Sequence, residues 1–187
     1  MDLAALQIWM VQVAPRISTA VARDVRVHAD RLRSAGIDFY GYAILPGEPA
    51  RITRLFAAAN ADANLKVGPR EKMYRYYRYS VDEWAHRAAD AFPTANPLLD
   101  EVDRKFRQVH PKSDGDYQID KVERALADGL LDAIVVGLEQ AKAAGAFAPT
   151  EPFLVVWLAD SGHRVMTESA RRLNAKPVAK EFLKEFG

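Results

Sequence analysis

Seven consecutive apolar residues, Phe153 to Ala159, set the strongest constraint on how this chain can fold. The run contains β-branched and aromatic residues and lies between Pro152 and Gly162, a pattern typical of a strand buried on both faces. Such a strand needs a neighbour at each edge and helices above or below it. We therefore expect Phe153 to Ala159 to form the central strand of a sheet.

The bulk composition is that of one globular domain. With 187 residues, 49% hydrophobic and 27% charged, the chain can bury a core without disulfides or metals. The 26 basic and 25 acidic residues leave a formal net charge of +1, so no global field attracts nucleic acid or a membrane. Cysteine is absent, which excludes disulfides and suits a cytoplasmic location. The apolar stretch 3–13 is too short to span a bilayer and lacks the basic lead of a signal peptide.

The N-terminal part of the chain predicts two helices separated by a proline. Asp2 is a suitable N-cap, and the helix should break or kink at Pro15 because proline lacks a backbone N–H and disfavours helix at the preceding residue. A second helix then runs from Pro15 to Ser34. We accordingly divide the chain into a helical extension, residues 1–14, and a single α+β domain, residues 15–187. The extension packs either on the domain or on another chain.

Three further segments have the composition of strands. Residues 39–45 are aromatic-rich and alternate between two faces, and residues 51–57 follow a Pro-Gly-Glu-Pro turn that predicts a hairpin. Residues 58–69 form either a loop or a short helical turn. Residues 72–79, KMYRYYRY, are the third strand candidate.

Helical patterns fill most of the second half of the chain. Ser80 and Glu83 have the spacing of a capping box, and Tyr79 and Trp84 that of a hydrophobic staple, which predicts a helix over residues 81–92. Residues 119–144 have a long helical period and should form the central core helix. The other predicted helices are residues 98–109, residues 167–174 with Thr167 as the cap, and residues 177–186.

The order of these elements indicates the fold class. The predicted order is one helix, three strands, several helices, one strand and further helices. This order lacks the regular alternation of strand and helix that a doubly wound parallel sheet requires. The sequence therefore predicts an α+β fold, with a small, mainly antiparallel sheet of about four strands covered by helices.

One segment combines the residue types most suited to binding. Residues 72–79 interleave tyrosines with arginines, like a stacking platform for single-stranded nucleic acid. The alternative is a strand whose tyrosines cover a sheet face and whose arginines pair with acids on neighbouring helices. The predicted binding residues, here and elsewhere in the chain, are Tyr74, Arg75, Tyr76, Arg78, Trp84, His86, Asp160 and Ser161.

Two constellations resemble chemical sites. Residues 160–163, Asp-Ser-Gly-His, lack the glycine-flanked elbow of a hydrolase, so a turn that caps the strand is the simpler interpretation. Asp82, His86 and Asp90 would share one helical face, which suits a metal ion but also describes a solvated surface. His28, on an apolar stripe, should be a hydrogen-bonded, semi-buried residue. We expect no catalytic residue, no metal and no cofactor.

Several fragments together resemble a known bacterial family. They are Phe-Tyr-Gly-Tyr-Ala at 39–43, an Ala/Asn-rich stretch at 58–65, Tyr-Arg-Tyr-Ser-x-x-Glu-Trp at 77–84, Gly-x-Phe at 145–147, Val-Trp-x-x-Asp-Ser at 156–161 and Ser-Ala-x-x-Leu-Asn at 169–174. Over about residues 20–186 the pattern is similar to a family described only as a domain of unknown function. The resemblance implies a small cytoplasmic α+β domain with no assigned reaction. Some similar small bacterial domains act as immunity proteins beside secreted toxins.

Three functions follow as hypotheses. The first is a non-enzymatic protein-binding module, an immunity or antitoxin-like protein whose partner is toxin-like, without a membrane role. The second is a small-molecule-binding protein or enzyme with a pocket between the sheet and helix 81–92, near Trp84, His86, Asp160 and Ser161. The third is a binder of single-stranded nucleic acid that uses residues 72–79.

Overall fold

The computed structural model describes residues 1–48, 51–112, 118–159 and 162–187. Within these ranges the chain forms an α+β fold, as predicted, and none of its helices is both long enough and apolar enough to cross a bilayer. Short 3₁₀ turns lie at Asp62–Asn64 and Val81–Glu83. The helices and strands, in chain order, are α1 (Leu3–Ser34), β1 (Phe39–Pro46), β2 (Leu55–Ala61), α2 (Tyr74–Tyr79), β3 (His86–Ala88), α3 (Ala95–Val109), α4 (Lys121–Ala143), β4 (Phe153–Val156), α5 (Val165–Leu173) and α6 (Lys176–Phe186).

The four strands form a mixed sheet in the order β3-β2-β1-β4. β2 is antiparallel to both β1 and β3, whereas β4 runs parallel to β1. The predicted hairpin is present, but its second strand begins at Leu55 and continues to Ala61, through residues that the sequence left open between loop and helical turn. Buried alanines at 57–59 explain the shift, since small side chains there fit beneath the covering layers.

The apolar strand β4 lies at an edge of the sheet, so the prediction of a central strand is wrong. All four of its residues are nevertheless buried, and α5 packs against the strand along its free edge. The run of apolar residues therefore predicts the burial of the strand correctly, but it does not indicate how many strands pair with it.

Side chains from α5 and its C-terminus replace the missing strand beside β4. The Asn174 carboxamide accepts a hydrogen bond from the Leu154 amide at 2.8 Å and donates one to the Leu154 carbonyl at 2.7 Å. The Ser169 hydroxyl accepts from the Val156 amide at 3.0 Å. A carboxamide carries the same donor and acceptor pair as a peptide unit, so it satisfies an edge residue that water cannot reach.

The same arrangement occurs at the start of β2. The Asn96 carboxamide of α3 accepts from the Leu55 amide at 2.8 Å and donates to the Leu55 carbonyl at 3.2 Å. β3 pairs only with residues 57–59 of β2, so Asn96 satisfies a position that this short strand does not reach.

The helix α1 is continuous through Pro15, so the predicted break at this residue is wrong. Pro15 is exposed, whereas Val13 and Ile17 on either side of it are buried in the core. Packing of both flanking turns offsets the missing backbone hydrogen bond, which is an example of tertiary contacts overriding local propensity. Leu6 also lies in the core, so residues 1–14 contact the body of the protein. Their assignment as a separate extension stays a prediction.

The close crossing of α1 and α4 forms the main helical layer, and α4 is the long core helix that the sequence predicts. Gly137 makes this approach feasible. A Cβ atom at this position would lie 2.7 Å from the Ser18 carbonyl oxygen and 2.7 Å from the Val21 Cβ. The N-terminus of α4 has a capping box of Asp120 and Glu123 that the sequence analysis did not identify.

Residues 72–92 fold differently from the prediction. The strand predicted for residues 72–79 is the short helix α2, and the helix predicted for 81–92 is replaced by the 3₁₀ turn and β3. The Ser80 side chain makes no cap, and Glu83 pairs with Lys66 instead of completing a capping box. β3 extends the sheet by pairing with β2. The backbone hydrogen bonds of this pairing are long-range contacts, which a local capping pattern cannot predict.

The two C-terminal helices occur close to the predicted positions, with one error at the first. α5 begins at Val165 rather than at a Thr167 cap, and the Thr167 hydroxyl donates to the Arg164 carbonyl at 3.1 Å. This hydrogen bond to the Arg164 carbonyl shows that Thr167 lies inside the first turn of the helix rather than before it.

His28 and Tyr42 connect α1 to the sheet. The His28 Nδ1 atom lies 3.0 Å from the Tyr42 hydroxyl, which confirms the predicted hydrogen bonding of His28, and both side chains are buried, His28 more deeply than predicted. A bulge between Phe39 and Gly41 breaks the predicted alternation of β1, so that Phe39 and Tyr42 both pack against Phe147. Burial, together with the nearby Arg31 charge, lowers the pKa of His28 to about 4.

Replacing Asn174 with alanine should destabilise the protein strongly. The Leu154 amide and carbonyl would both lose their partners at a buried edge, at a cost of about 2–4 kcal/mol in the free energy of unfolding. Urea denaturation measures this difference. Arg171→Ala, on the exposed side of α5, is the matched control and should change stability little. Equal stabilities of the two variants would contradict the role assigned to Asn174.

The stability of the protein should decrease as the pH falls from 6.5 to 4. In this range the unfolded chain protonates His28 whereas the native chain keeps it neutral, so the unfolded state binds more protons. The contribution reaches about 3 kcal/mol at the lower pH. His28→Gln retains a polar partner for Tyr42 and should remove this part of the pH dependence. An unchanged slope of unfolding free energy against pH would contradict the assignment.

Candidate functional site

A groove between α2 and α6 contains part of the tyrosine- and arginine-rich segment 72–79. It has a volume of about 360 Å³. We refer to it as the Tyr/Arg groove. Its lining residues are Pro69, Glu71, Lys72, Tyr74, Arg75, Arg78, Tyr79 and Glu181.

Arg78 is the most firmly held side chain of the groove. Its guanidinium lies 4.1 Å from the centroid of the Tyr40 ring, and Nη1 donates to Asp62 at 2.8 Å and to the Tyr74 hydroxyl at 3.0 Å. A guanidinium stacked on an aromatic ring and paired with a carboxylate has few alternative rotamers. Arg78 therefore forms a rigid floor, and it also fixes the position of Tyr74.

Arg75 and Glu181 form the more open wall of the groove. The Arg75 Nε atom lies 3.2 Å from the Glu181 carboxylate, and the two side chains are 40% and 41% exposed. A hydrogen bond from Lys184 lowers the pKa of Glu181, so this carboxylate is ionised at neutral pH. The wall therefore presents a cation and an anion that solvent reaches.

Three of the eight predicted binding residues, Tyr74, Arg75 and Arg78, line this groove. Tyr76 lies beside it and packs on Tyr77 and Phe186, with ring centroids 5.4 Å and 6.2 Å away. All four are half-buried rather than displayed on an open strand, because α2 is a helix that docks on α6.

Trp84 is only 3% exposed and is not among the lining residues of the groove. Its indole packs against the backbone of Gly41, where an added Cβ atom would lie 2.6 Å from the ring carbon Cη2. The indole nitrogen donates to the Arg78 carbonyl at 3.2 Å. Trp84 therefore connects the sheet to the end of α2.

His86 stands apart from the groove. It lies on the edge strand β3, where its Nε2 atom is 3.2 Å from the Asn64 side-chain oxygen. Asp82 and Asp90 do not join it, because Asp82 accepts from the Trp157 indole at 3.1 Å and Asp90 pairs with Arg31. No group of three potential metal-ligating side chains occurs in the described parts of the chain. The other two predicted site residues, Asp160 and Ser161, lie outside the described residues.

A second recess lies between the first turns of α4 and α5. It has a volume of about 410 Å³ and includes His163, which lies 3.3 Å from Asp128. The Nδ1 atom of His163 accepts from the Val165 amide at 3.2 Å. His163 therefore contributes to the start of α5, which is a structural role for part of the Asp-Ser-Gly-His segment.

Sequence reasoning missed the part of the groove that comes from α6. Glu181 is separated from Arg75 by 106 residues, and no local pattern links the two positions. Tyr79 was assigned to a strand and a staple, whereas its ring forms a core contact with Phe153 at 4.9 Å. The one sequence feature that indicated this site was the high content of tyrosine and arginine in residues 72–79.

The residues that carry the family resemblance have structural roles in this chain. Gly41 admits Trp84, Phe147 packs on Tyr42, and the Ser-Ala-x-x-Leu-Asn segment supplies the side chains that cover the edge of β4. These motif residues hold the fold together, whereas Arg78 and Tyr79 of the 77–84 motif also line the groove.

Gly41→Ala should destabilise the protein by about 1–3 kcal/mol, because the new methyl group would overlap the Trp84 indole. The matched test is a double-mutant cycle with Trp84→Leu, measured by urea denaturation. With the indole removed, Gly41→Ala should cost much less. If the glycine substitution costs the same with and without the indole, the close contact is not what requires glycine.

The comparisons with known proteins agree with the motif pattern. Residues 21–175 match the family model described as Domain of unknown function (DUF4303). Comparison with curated proteins and comparison with solved structures gave no match. Because the family model covers most of the chain, this protein belongs to the DUF4303 family.

Proposed function

We propose that this protein is a protein-binding module and that the Tyr/Arg groove is its contact surface. The observation that carries the proposal is the half-exposed set of Tyr74, Arg75 and Arg78 around one concave site. Tyrosine and arginine are among the residues that supply most of the binding energy in protein interfaces, especially when they surround a pocket.

The rigidity of the groove supports this role. Arg78 is held by Tyr40, Tyr74 and Asp62, so binding a partner would order few additional side chains. Immobilising a flexible side chain costs about 0.5–1.5 kcal/mol on association, and a preorganised surface avoids much of that cost.

The charges of the groove favour a protein partner over nucleic acid. Lys72 and Arg75 line it together with Glu71 and Glu181, so both signs are present. A solvent-exposed ion pair such as Arg75–Glu181 contributes little stability, about 0–1 kcal/mol, and a partner's carboxylate can replace Glu181 at small cost. A partner with acidic and basic side chains close together suits this surface, whereas a uniform phosphate backbone does not.

The more specific proposal is an immunity role, in which the groove binds a toxin-like protein and blocks its active site. Its support is the family resemblance, because some similar small bacterial domains act as immunity proteins beside secreted toxins. The neighbouring gene product is the first partner to test, by co-expression and co-purification with this chain.

The two other hypotheses have less support from the geometry. The small-molecule pocket was placed between the sheet and helix 81–92, but that helix does not form and Trp84 is buried. Nucleic-acid binding through residues 72–79 was based on a strand with an open tyrosine face, whereas these tyrosines lie on a docked helix.

Arg75→Glu should weaken partner binding by at least about 30-fold, the effect typical of an interface hot spot. The substitution removes a cation from the groove wall and places a second anion beside Glu181. The immobilised chain first captures a partner from the native cell, and titration with the purified partner then gives the affinity.

Arg171→Glu, which makes the same charge change on the exposed side of α5, is the control and should bind as the unmodified protein does. The proposal fails if the partner binds the groove variant and the control with equal affinity. It also fails if no protein partner is retained while the chain turns over a small molecule.

A further inference from the structure

The N-terminal half of α1 presents an apolar stripe to solvent, on the side opposite the core. Ala4, Ile8, Val11 and Pro15 are exposed and are separated by four, three and four residues, so they lie on one face of the helix. We refer to these four residues as the α1 outer face. Leu6 and Val13, by contrast, face the core.

The α1 outer face is unusual among the exposed apolar residues of this protein. Ile8 is 69% exposed and Val11 is 76% exposed, the two largest values among the large apolar side chains in the described ranges. They are one helical turn apart. Contiguous apolar surface of this kind marks an interaction site more often than isolated exposed residues do.

The charges around this face indicate which partner fits it. Between Asp2 and Arg16 the helix carries no charged residue, so its contact with a second apolar helix would desolvate no ion. The two charges at the ends of this segment have opposite signs. Arg16 is 57% exposed, and its contact with Glu101 is long, at 3.8 Å.

We propose that the α1 outer face pairs with the same face of a second copy of this chain, in an antiparallel, two-fold arrangement. An isologous contact of this type sets Ile8 against the partner's Val11 and Ala4 against the partner's Pro15. It also sets Asp2 near the partner's Arg16, which is favourable at both ends of the contact. A parallel pair would instead place Asp2 beside the partner's Asp2.

The spacing of the stripe suits this pairing. Separations of four, three and four residues are those of the a and d positions of a heptad, which let two helices interdigitate. The face is short, so the contact is smaller than a standard interface of about 1,600 Å². The dimer is therefore weak, with a dissociation constant in the micromolar range or above, and it does not depend on the Tyr/Arg groove.

A disulfide trapping experiment tests the pairing directly, because the chain contains no cysteine. Ile8→Cys and Val11→Cys chains are oxidised separately and as an equimolar mixture. The mixture should form disulfide dimers at least about tenfold faster than Val27→Cys, an exposed position on another side of α1, because proximity raises the effective thiol concentration.

The other outcomes overturn the proposal. If the mixture reacts no faster than Val27→Cys, the α1 outer face does not self-associate. If Ile8→Cys alone reacts faster than the mixture, the pairing is parallel and the charge argument is wrong.

Sedimentation of the unmodified chain at increasing concentration is the second measurement. We expect a shift toward the dimer that Ile8→Glu abolishes, with the circular dichroism spectrum unchanged because the side chain is exposed. A purely monomeric chain at millimolar concentration, or a face that binds neutral lipid vesicles but not itself, would exclude the dimer.

Discussion

The fold depends on satisfying the backbone of a buried edge strand. β4 carries the most apolar sequence in the sheet, and it pairs with only one neighbour. Its outward amides and carbonyls would each cost about 1–3 kcal/mol if they stayed unpaired away from water. Ser169 and Asn174 remove that cost by hydrogen bonding to Val156 and Leu154. The helix α5 must therefore cross this edge at one position, and the chain that follows it leads into α6.

Several of the family-like motifs have structural roles that also position the groove. The Ser-Ala-x-x-Leu-Asn segment covers the free edge of β4, and Gly41 lets Trp84 pack closely against β1. Trp84 in turn holds the end of α2 through the Arg78 carbonyl, which positions the residues of the Tyr/Arg groove. These motif residues thus support the groove, and the half-buried Tyr74, Arg75 and Arg78 are its residues available to a partner.

Sequence reasoning succeeded where one local signal and the tertiary structure agree. The long helical period of α4, the aromatic-rich composition of β1 and the apolar run of β4 all indicate burial, and burial determined those elements. Sequence reasoning failed where a contact between distant parts of the chain outweighed a local conformational preference. Pro15 lies within a helix that core packing holds on both sides, and the capping signal at Ser80 lost to the pairing of β3 with β2. One wall of the groove needs Glu181 of α6, and no sequence pattern near Arg75 predicts that contact.

Amide hydrogen exchange at the edge of β4 tests the central claim most directly. The amides of Leu154 and Val156 should be as protected as that of Trp157, which donates to the Ile44 carbonyl within the sheet. All three should exchange only through global unfolding, because side chains of α5 close the edge. Rapid exchange at Leu154 and Val156, with Trp157 still protected, would show an open edge strand and would contradict this account of the fold.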